Sequence, residues 1–345
     1  MNTSTPIFSP RARQKARIRP HRVTRGSRPR RLRHLRQVLR LWLALFSLLT
    51  VGTYVYFSAV NTAYFHNAME PLTIHPATRL LILAPHNDDE ILNSTVLIQR
   101  VLAGGGAVRV VLFTCGDGST PVHGKVPATP QDYYDLGVLR QHETLRGLAH
   151  LGLARQDVNF LGYPDGGLAA LWGVNRHTPY FNPHSQTTHS PYPNIFAPKT
   201  SYCGENVTRD LRQIAQSFAP TLVLAPDPND THPDHAAVNW FANEVLAEAG
   251  VPMLGYLVHF GKVWPMPAPA YAGRPLTPPP QLRRKGTTQT KWYYLSATPA
   301  ARAQKRLVLD EYQSQLAKSG PFLRAFNREN ELFSALSFTG KEPSI

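Results

Sequence analysis

Two short blocks of the chain concentrate side chains that bind metal ions. Residues 86–90 read His-Asn-Asp-Asp-Glu, and residues 232–235 read His-Pro-Asp-His. The first block follows the apolar run 80–84, and the second follows the apolar run 222–225 after a short loop. Each run predicts a β-strand. Because open α/β folds build their sites at the carboxyl ends of strands, we expect the two blocks to meet.

The spacing within each block predicts which side chains bind the metal. Side chains three positions apart at a strand-to-helix turn can converge on one point, which makes His86 and Asp89 predicted ligands. Asp88 would point elsewhere and is a predicted base. In the second block the same spacing makes one of His232 and His235 a ligand and leaves the other free. Three protein ligands with water in the fourth position are typical of catalytic zinc, so Zn²⁺ is the predicted cofactor.

The segments around these blocks alternate between strand-like and helix-like patterns. The predicted strands are 80–84, 108–114, 158–161, 221–225 and 254–260, and the predicted helices are 91–103, 135–151, 207–218 and 236–248. This alternation predicts an α/β, Rossmann-like fold with a mostly parallel sheet and helices on both faces. No G-x-G-x-x-G follows a strand, so the dinucleotide fingerprint is absent.

Two stretches interrupt the alternation. Residues 166–205 have little periodicity but contain aromatic side chains, which argues against disorder: Trp172, Tyr180, Phe181, Tyr192 and Tyr202. Because a long loop in a compact domain is usually functional or disordered, we expect an ordered, lid-like insertion over the site. Residues 265–288 are rich in proline and basic residues and are predicted to form an irregular surface excursion.

The basic charge of the chain lies at its amino terminus. The formal net charge is +15, but residues 1–40 hold 13 Lys and Arg and no acidic residue, so the remainder carries a net charge of only +2. A basic tail is compatible with nucleic-acid binding. The twenty uncharged residues 41–60 that follow are instead long enough to cross a bilayer, so no nucleic-acid partner is predicted.

A single-pass signal anchor explains these features better than a buried core helix or a cleaved signal peptide, whose apolar region is shorter. The positive-inside rule places the tail, residues 1–40, in the cytoplasm and the domain, residues 78–345, outside it. Residues 61–77 are the predicted linker. We expect a bacterial cytoplasmic (inner) membrane, lipid contacts through residues 11–60 and a periplasmic or other extracytoplasmic catalytic domain. Two cysteines, Cys115 and Cys203, are compatible with a disulfide or with free thiols.

The chain from Leu80 to about Phe333 resembles the PIG-L (LmbE-like) family of zinc-dependent de-N-acetylases, in a membrane-anchored or secreted branch. The family hallmarks are an A-H-P-D-D-E block after the first strand and a later H-x-D-H block, which match residues 84–90 and 232–235. Shorter similarities extend along the chain: Thr114 to Gly118, Arg140 with Glu143, Leu161 to Asp165, Tyr312 to Gln315 and Asn330 to Phe333.

The resemblance implies roles for individual residues. His86, Asp89 and His235 would bind zinc, Asp88 would be the general base, and His232 would stabilise the oxyanion and protonate the departing amine. Arg140 and Asp165 match positions that hold the sugar. Glu90 and Asp234 are expected to orient the ligands from behind, since metal-bound histidines usually donate their other N–H to such partners. The chain departs from the family at Asn87, where proline is usual, and at Asn93 and Ser94, where glycines are usual.

The function expected from the resemblance is zinc-dependent removal of N-acetyl groups from N-acetylglucosamine-type sugars or glycoconjugates at the outer membrane face. A metal-dependent amidase or esterase that acts on another conjugate is an alternative. A second alternative is an inactive sugar-binding module, which the joint presence of all five ligand and catalytic residues disfavours.

Overall fold

The computed structural model describes residues 30–119, 128–247, 249–261, 264–265, 274–283 and 290–336. The chain divides into two compact units, Met1–Tyr56 and Phe57–Ile345. Residues 1–29, which hold most of the predicted basic tail, lie outside the described residues, as does part of the predicted surface excursion.

Helix α1 (Arg30–Ala68) contains the predicted membrane span. Its portion His34–Ala68 is long and apolar enough to cross a membrane by length and composition, and only 6% of its most apolar window is buried. The predicted linker 61–77 is partly regular structure. The helix continues to Ala68, and β1 (Met69–Pro71) pairs in parallel with a strand near the carboxyl terminus, β7 (Trp292–Ser296), as the edge strand of the sheet.

The described residues of the second unit form one eight-stranded sheet in the order β1-β7-β8-β6-β5-β2-β3-β4. The other strands are β2 (Arg79–Ala84), β3 (Ala107–Thr114), β4 (Val158–Tyr163), β5 (Leu222–Pro226), β6 (Met253–Tyr256), β7 (Trp292–Ser296) and β8 (Asn330–Leu336). Strands β2 to β6 pair in parallel, and β8 runs antiparallel to β6 and β7. The predicted mostly parallel α/β sheet is confirmed.

Helices cover both faces of the sheet. They are α2 (Asp89–Leu92), α3 (Thr95–Ala103), α4 (Pro130–Ala149), α5 (Leu168–Trp172), α6 (Gly204–Phe218), α7 (Pro233–Leu246), α8 (Pro299–Asp310) and α9 (Gln313–Arg324). Alternate side chains of the central strand β2 pack into the hydrophobic clusters on opposite faces of the sheet. Leu80 and Ile82 pack in one hydrophobic cluster with α3 and α8, whereas Leu81 and Leu83 pack in the other with α6 and α7. Strand β2 is therefore buried on both faces, as a central parallel strand requires.

Two predicted elements differ from those observed, for local reasons. The helix predicted over 91–103 is divided into α2 and α3 at Asn93 and Ser94, where the Asn93 amide donates to the Leu257 carbonyl (2.8 Å). The strand predicted over 254–260 ends at Tyr256, because the N–H groups of Val258 and His259 donate to the Asp230 carboxylate instead of to a neighbouring strand. Elements β7, α8, α9 and β8 have no counterpart in the predicted strands and helices.

The segment 166–205 is packed into the domain. Tyr192 and Tyr202 are 3% and 1% exposed, and they belong to opposite hydrophobic clusters. Trp172 packs edge-on against Phe241 of α7, with ring centroids 5.1 Å apart. Most of the aromatic side chains that suggested a lid therefore hold the segment to the core. Both cysteines are buried free thiols.

Candidate metal centre

The first metal-binding block forms the turn between β2 and α2. Asp88 has a φ of 144°, a conformation that side chains rarely adopt. Its backbone N–H donates to Glu90 Oε2 (2.7 Å), and Glu90 Oε1 accepts from the Tyr312 hydroxyl (2.6 Å). Asn87 is fully buried, and its amide donates to Thr144 of α4 (2.9 Å). Buried polar side chains thus hold the strained turn, and Glu90 supports the backbone of Asp88.

The side chains of the three predicted ligands meet at one carboxylate oxygen. Asp89 Oδ2 lies 3.1 Å from His86 Nδ1 and 3.1 Å from His235 Nε2. His235 is fully buried on the first turn of α7, which His232 caps. Parallel pairing of β2 with β5 brings the two strand ends together, so the expected meeting of the blocks is observed.

This arrangement fits a divalent cation. The Asp89 oxygen and the two imidazole nitrogens are the ligand types that zinc takes, and in a tetrahedral zinc site such atoms lie about 3.3 Å apart. Both ring nitrogens of His235 face carboxylate oxygens within 3.2 Å, yet neither lies in hydrogen-bonding geometry. Among the described residues, three other sets of possible ligands share these side chains and have ligand atoms within 4.8 Å of one another: His86 with His232 and His235, Asp89 with His235 and His259, and His86 with Asp165 and Asp234.

The charges around the centre favour a cation. Burial opposes protonation of His86, but the neighbouring Asp165 carboxylate raises its pKa well above the usual value. Burial likewise opposes protonation of His235, yet Asp89 and Asp230 raise its pKa to about 9. Burial would raise the pKa of Asp89, but the two histidine rings hold it well below its usual range. Carboxylates that stabilise positive charge on two imidazoles would stabilise a bound metal ion for the same reason.

The far nitrogen of His86 contacts two carboxylates. Its Nε2 lies 3.2 Å from Asp234 Oδ2 and 3.2 Å from Asp165 Oδ1. Asp234 also accepts the backbone N–H groups of Gly166 (2.7 Å) and Leu168 (3.1 Å) at the start of α5. Asp234, predicted to orient a ligand, and Asp165, predicted as a sugar contact, thus both contact the ring of the predicted ligand His86.

Asp88 lies in the pocket beside Arg140. Asp88 Oδ2 is 3.7 Å from Arg140 Nη2, and Arg140 Nη1 donates to the Gly116 carbonyl (2.8 Å). Gly116 has a φ of 62°, and a Cβ there would overlap the guanidinium, so the turn after β3 requires glycine. Burial raises the pKa of Asp88 to about 7 against the opposing charge of Arg140. A carboxylate with such a pKa is suited to general-base catalysis near neutral pH.

His232 is placed as a neutral hydrogen-bond donor. Its Nδ1 accepts the Asp234 backbone N–H (3.2 Å), which leaves the proton on Nε2. Burial lowers its pKa, and the charges of His86 and His235 lower it further. The ring centroid of His232 lies 4.8 Å from that of His86, beside the predicted metal position.

Sequence reasoning missed Asp230 and His259. Asp230 Oδ2 lies 3.2 Å from His235 Nδ1 and accepts the backbone N–H groups of Val258 and His259 (2.9 Å each), while its Oδ1 accepts that of His232 (3.0 Å). His259 packs against the His235 and His232 rings and stacks on Phe322 at 5.6 Å. The signal for Asp230 was its place two residues before His232, whereas that for His259 appears only once β6 lies beside β5.

A cavity of about 370 Å³ opens onto this centre. Six of the nine predicted site residues line it, namely His86, Asp88, Asp89, Arg140, Asp165 and His232. Glu90, Asp234 and His235 are buried behind these residues. His184 is the contribution of the predicted lid segment beyond Gly166, and Gln315, Lys318 and Phe322 come from α9. The pocket volume lies in the range of small-molecule sites.

Comparison with known proteins agrees with this geometry. Residues 81–246 match the model of the PIG-L family, described as GlcNAc-PI de-N-acetylase. The chain contains a PIG-L family domain. The family prediction is thus confirmed for residues 81–246, a segment that includes all nine predicted site residues together with Asp230.

The individual relatives have low sequence identity to this chain. The 1D-myo-inositol 2-acetamido-2-deoxy-alpha-D-glucopyranoside deacetylase of Kribbella flavida is 26% identical over 197 residues, which are 56% of this chain and 60% of that protein. The chain thus spans less than two thirds of that relative. The crystal structure of the A40926 pseudoaglycone deacetylase is 20% identical with a TM-score of 0.48, over 77% of this chain and 100% of that one. The N,N'-diacetylchitobiose deacetylase of Pyrococcus horikoshii is 18% identical with a TM-score of 0.46, over 81% and 89% of the two chains.

Proposed function

We propose that this protein is a zinc-dependent deacetylase that removes the N-acetyl group from N-acetylglucosamine-type sugars or their conjugates. The observation that carries the proposal is the convergence of His86 and His235 on one oxygen of Asp89, beside the pocket that contains Asp88. The PIG-L domain match and the deacetylase activity named for the Kribbella relative support the choice of reaction.

His86, Asp89 and His235 would hold the zinc ion, which when bound would lower the pKa of its water to about 7 and polarise the acetyl carbonyl. Asp88 would take the proton of the attacking water. Its strained backbone and its Arg140 neighbour fix the carboxylate at the pocket wall. A positioned base of this kind contributes roughly 10²–10⁴ in rate.

His232 would assist at the other side of the reacting carbon. Its Nε2 proton is available because Nδ1 accepts the Asp234 backbone N–H. A neutral imidazole donor can stabilise the developing oxyanion and then protonate the departing amine, which allows the C–N bond to break. Asp230 and Asp234 would position His235 and His86, respectively, through the ring nitrogens that face away from the metal.

The pocket would receive the sugar on the side of α4 and α9. Arg140 and Asp165 remain our proposed sugar contacts, and both line the pocket. Their protein contacts are already numerous, since Arg140 donates to two backbone carbonyls and Asp165 accepts the Gly118 N–H (2.8 Å). Lys318 and Gln315 of α9 add polar groups to the pocket wall. A pocket of this size, lined by both polar and apolar side chains, suits a single sugar ring.

The proposed location is the outer face of the cytoplasmic membrane. The support is the apolar portion of α1 together with the 13 basic residues among residues 1–40, which would remain on the cytoplasmic side. Lipid contacts through residues 11–60 are part of the same proposal.

The test combines metal analysis with a substrate panel. The zinc-loaded wild-type chain should hold about one zinc ion and release free amine from N-acetylglucosaminides, whereas His235→Ala should lose both properties. His150→Ala, at an exposed histidine that pairs with Glu311, is the matched control and should keep both. Zinc binding with hydrolysis of only non-sugar amides or esters would refute the substrate class. Sugar binding without any hydrolysis would refute the enzyme assignment.

A further inference from the structure

A second cavity, of about 410 Å³, lies against the carboxyl-terminal part of α1. It adjoins the metal pocket along the chain. Val258 and His259 line the metal pocket, and the next two residues, Phe260 and Gly261, line this cavity. Its volume is sufficient for part of a small amphiphilic molecule. None of the proposed catalytic or ligand residues contributes to its wall, so the cavity is distinct from the metal centre.

The wall combines apolar side chains with arginines. The apolar part includes Phe57, Phe260, Trp264 and Leu276. The cationic part consists of Arg274, Arg283 and Arg328, and none of the described lining residues is acidic. An apolar surface beside several guanidinium groups is complementary to an amphiphile with an anionic head, because guanidinium N–H groups form strong, charge-assisted hydrogen bonds with phosphate oxygens.

One arginine of the wall, Arg283, is held against α1. Arg283 Nη2 donates to Asn61 Oδ1 (2.8 Å) and to Thr277 Oγ1 (2.7 Å), and its Nε donates to the Pro278 carbonyl (2.7 Å). Its guanidinium lies 4.7 Å from the centre of the Tyr64 ring. Nη1 is therefore the group of Arg283 that would meet a phosphate. Arg274 is exposed. The charge of Arg283 is therefore fixed to the helix, and that of Arg274 is accessible from solvent.

The position along α1 identifies the occupant. Asn61 and Thr62 line the cavity, and they directly follow the twenty uncharged residues 41–60 of the same helix. In a membrane-anchored protein, this part of α1 would leave the bilayer at the level of the lipid headgroups. We propose that the cavity binds one anionic phospholipid from the surrounding membrane, with its phosphate at Arg274 and Arg283 and an acyl chain against the apolar wall.

This inference rests on the membrane anchorage given under the proposed function and is independent of the proposed chemistry. Anionic lipids are common ligands of basic surfaces beside membrane helices. Bound lipid would also contact residues 260–261, which directly follow His259 of the metal pocket.

The test uses the full chain purified in a non-ionic detergent. Phosphatidylglycerol or phosphatidylcholine is added back to the purified chain. Native mass spectrometry measures the number of bound lipid molecules, and thermal unfolding measures the melting temperature. The wild-type chain should carry about one phosphatidylglycerol and melt at a higher temperature with it. Arg274→Gln/Arg283→Gln should bind it at least about tenfold more weakly, because hydrogen bonds to the charged phosphate are lost. Arg212→Gln/Arg306→Gln, which removes two exposed arginines elsewhere, is the control for lost charge.

A second variant tests the apolar part without touching the arginines. Thr62→Trp would fill the cavity from α1 and should also abolish lipid retention. Equal binding of phosphatidylcholine, no bound lipid in the wild-type chain after add-back, or unchanged binding in the Arg274→Gln/Arg283→Gln variant would each overturn the proposal. Zinc content and amine release are measured on the same preparations. A chain that deacetylates without holding lipid refutes this inference alone, and one that holds lipid without deacetylating refutes only the proposed chemistry.

Discussion

Substitution of Asp230 by asparagine tests how the metal centre is supported. The Asp230 carboxylate faces His235 Nδ1 at 3.2 Å and accepts three backbone N–H groups, from His232, Val258 and His259. Burial would raise the pKa of Asp230, but the charge of His235 lowers it below the usual value, so the side chain is an anion in the folded protein. Asparagine has nearly the same shape but lacks the charge and one of the acceptor oxygens.

We expect Asp230→Asn to bind zinc with lower affinity than the wild-type chain. Replacing the outer partner of a metal-bound histidine typically costs 10–100-fold in metal affinity, which corresponds to about 1.4–2.7 kcal/mol. The buried N–H groups that lose their acceptor should lower the free energy of unfolding by a further ~1–3 kcal/mol. Zinc affinity is measured by competition with a chromophoric chelator, and stability by urea unfolding of the zinc-free chain.

Asp227→Asn is the matched control. Asp227 is also buried and lies three residues earlier in the same loop, but its carboxylate accepts hydrogen bonds from Ser334 and Asn229 and not from a histidine. Burial raises the pKa of Asp227, and its carboxylate contacts Ser334 and Asn229 rather than His235, so its replacement should leave the support of His235 in place. Asp227→Asn should keep the wild-type zinc affinity. Equal zinc affinity in wild type and Asp230→Asn, or equal losses in both variants, would refute the role of Asp230.

Three further predictions concern stability and topology. Burial raises the pKa of Asp117 to about 7, above its unfolded value near 3.8. The free energy of unfolding should therefore fall as the pH rises from about 4 to 7, by as much as ~4 kcal/mol. Unfolding curves of the zinc-free chain should show a smaller fall in Asp117→Asn than in the wild type. Equal falls in the two chains would contradict the raised pKa of Asp117. Glu331→Gln should cost about 3–5 kcal/mol in urea unfolding, because it leaves the buried Lys305 ammonium without its ion-pair partner at 2.9 Å, and Lys305→Met in the same chain should recover part of the loss. A reporter fused after Ile345 should be active only outside the cytoplasm, and cytoplasmic activity would overturn the proposed orientation.

The convergence of the metal-binding blocks was predictable because it depends on local features. A strand-to-helix turn fixes the spacing of His86 and Asp89, and parallel pairing of two apolar strands brings the second block beside the first. The same logic predicted the mostly parallel sheet. These inferences needed only periodicity, turn position and residue chemistry.

The remaining features depend on contacts between distant parts of the chain. Asp230 acquires its role because the chain after β6 turns its N–H groups at Val258 and His259 toward it, which also ends that strand early. Tyr192 and Tyr202 suggested a lid by composition, but burial of both rings in the core is a property of the folded segment. Glu331, within the family similarity Asn330 to Phe333, accepts the N–H groups of Val96 and Leu97 near the start of α3 and forms an ion pair with Lys305. The sequence alone does not reveal this structural role.

The central claim is that Asp88 activates water at a metal held by its neighbours. The most direct test is the rate of amine release from an N-acetylglucosaminide by zinc-loaded wild-type and Asp88→Asn chains, with zinc content measured on the same samples. Asp88→Asn should retain about one zinc ion and lose roughly 10²–10⁴ in rate, because the variant lacks the base but keeps the ligands. Near wild-type turnover in Asp88→Asn would contradict the claim, and so would loss of zinc, which would make Asp88 a ligand.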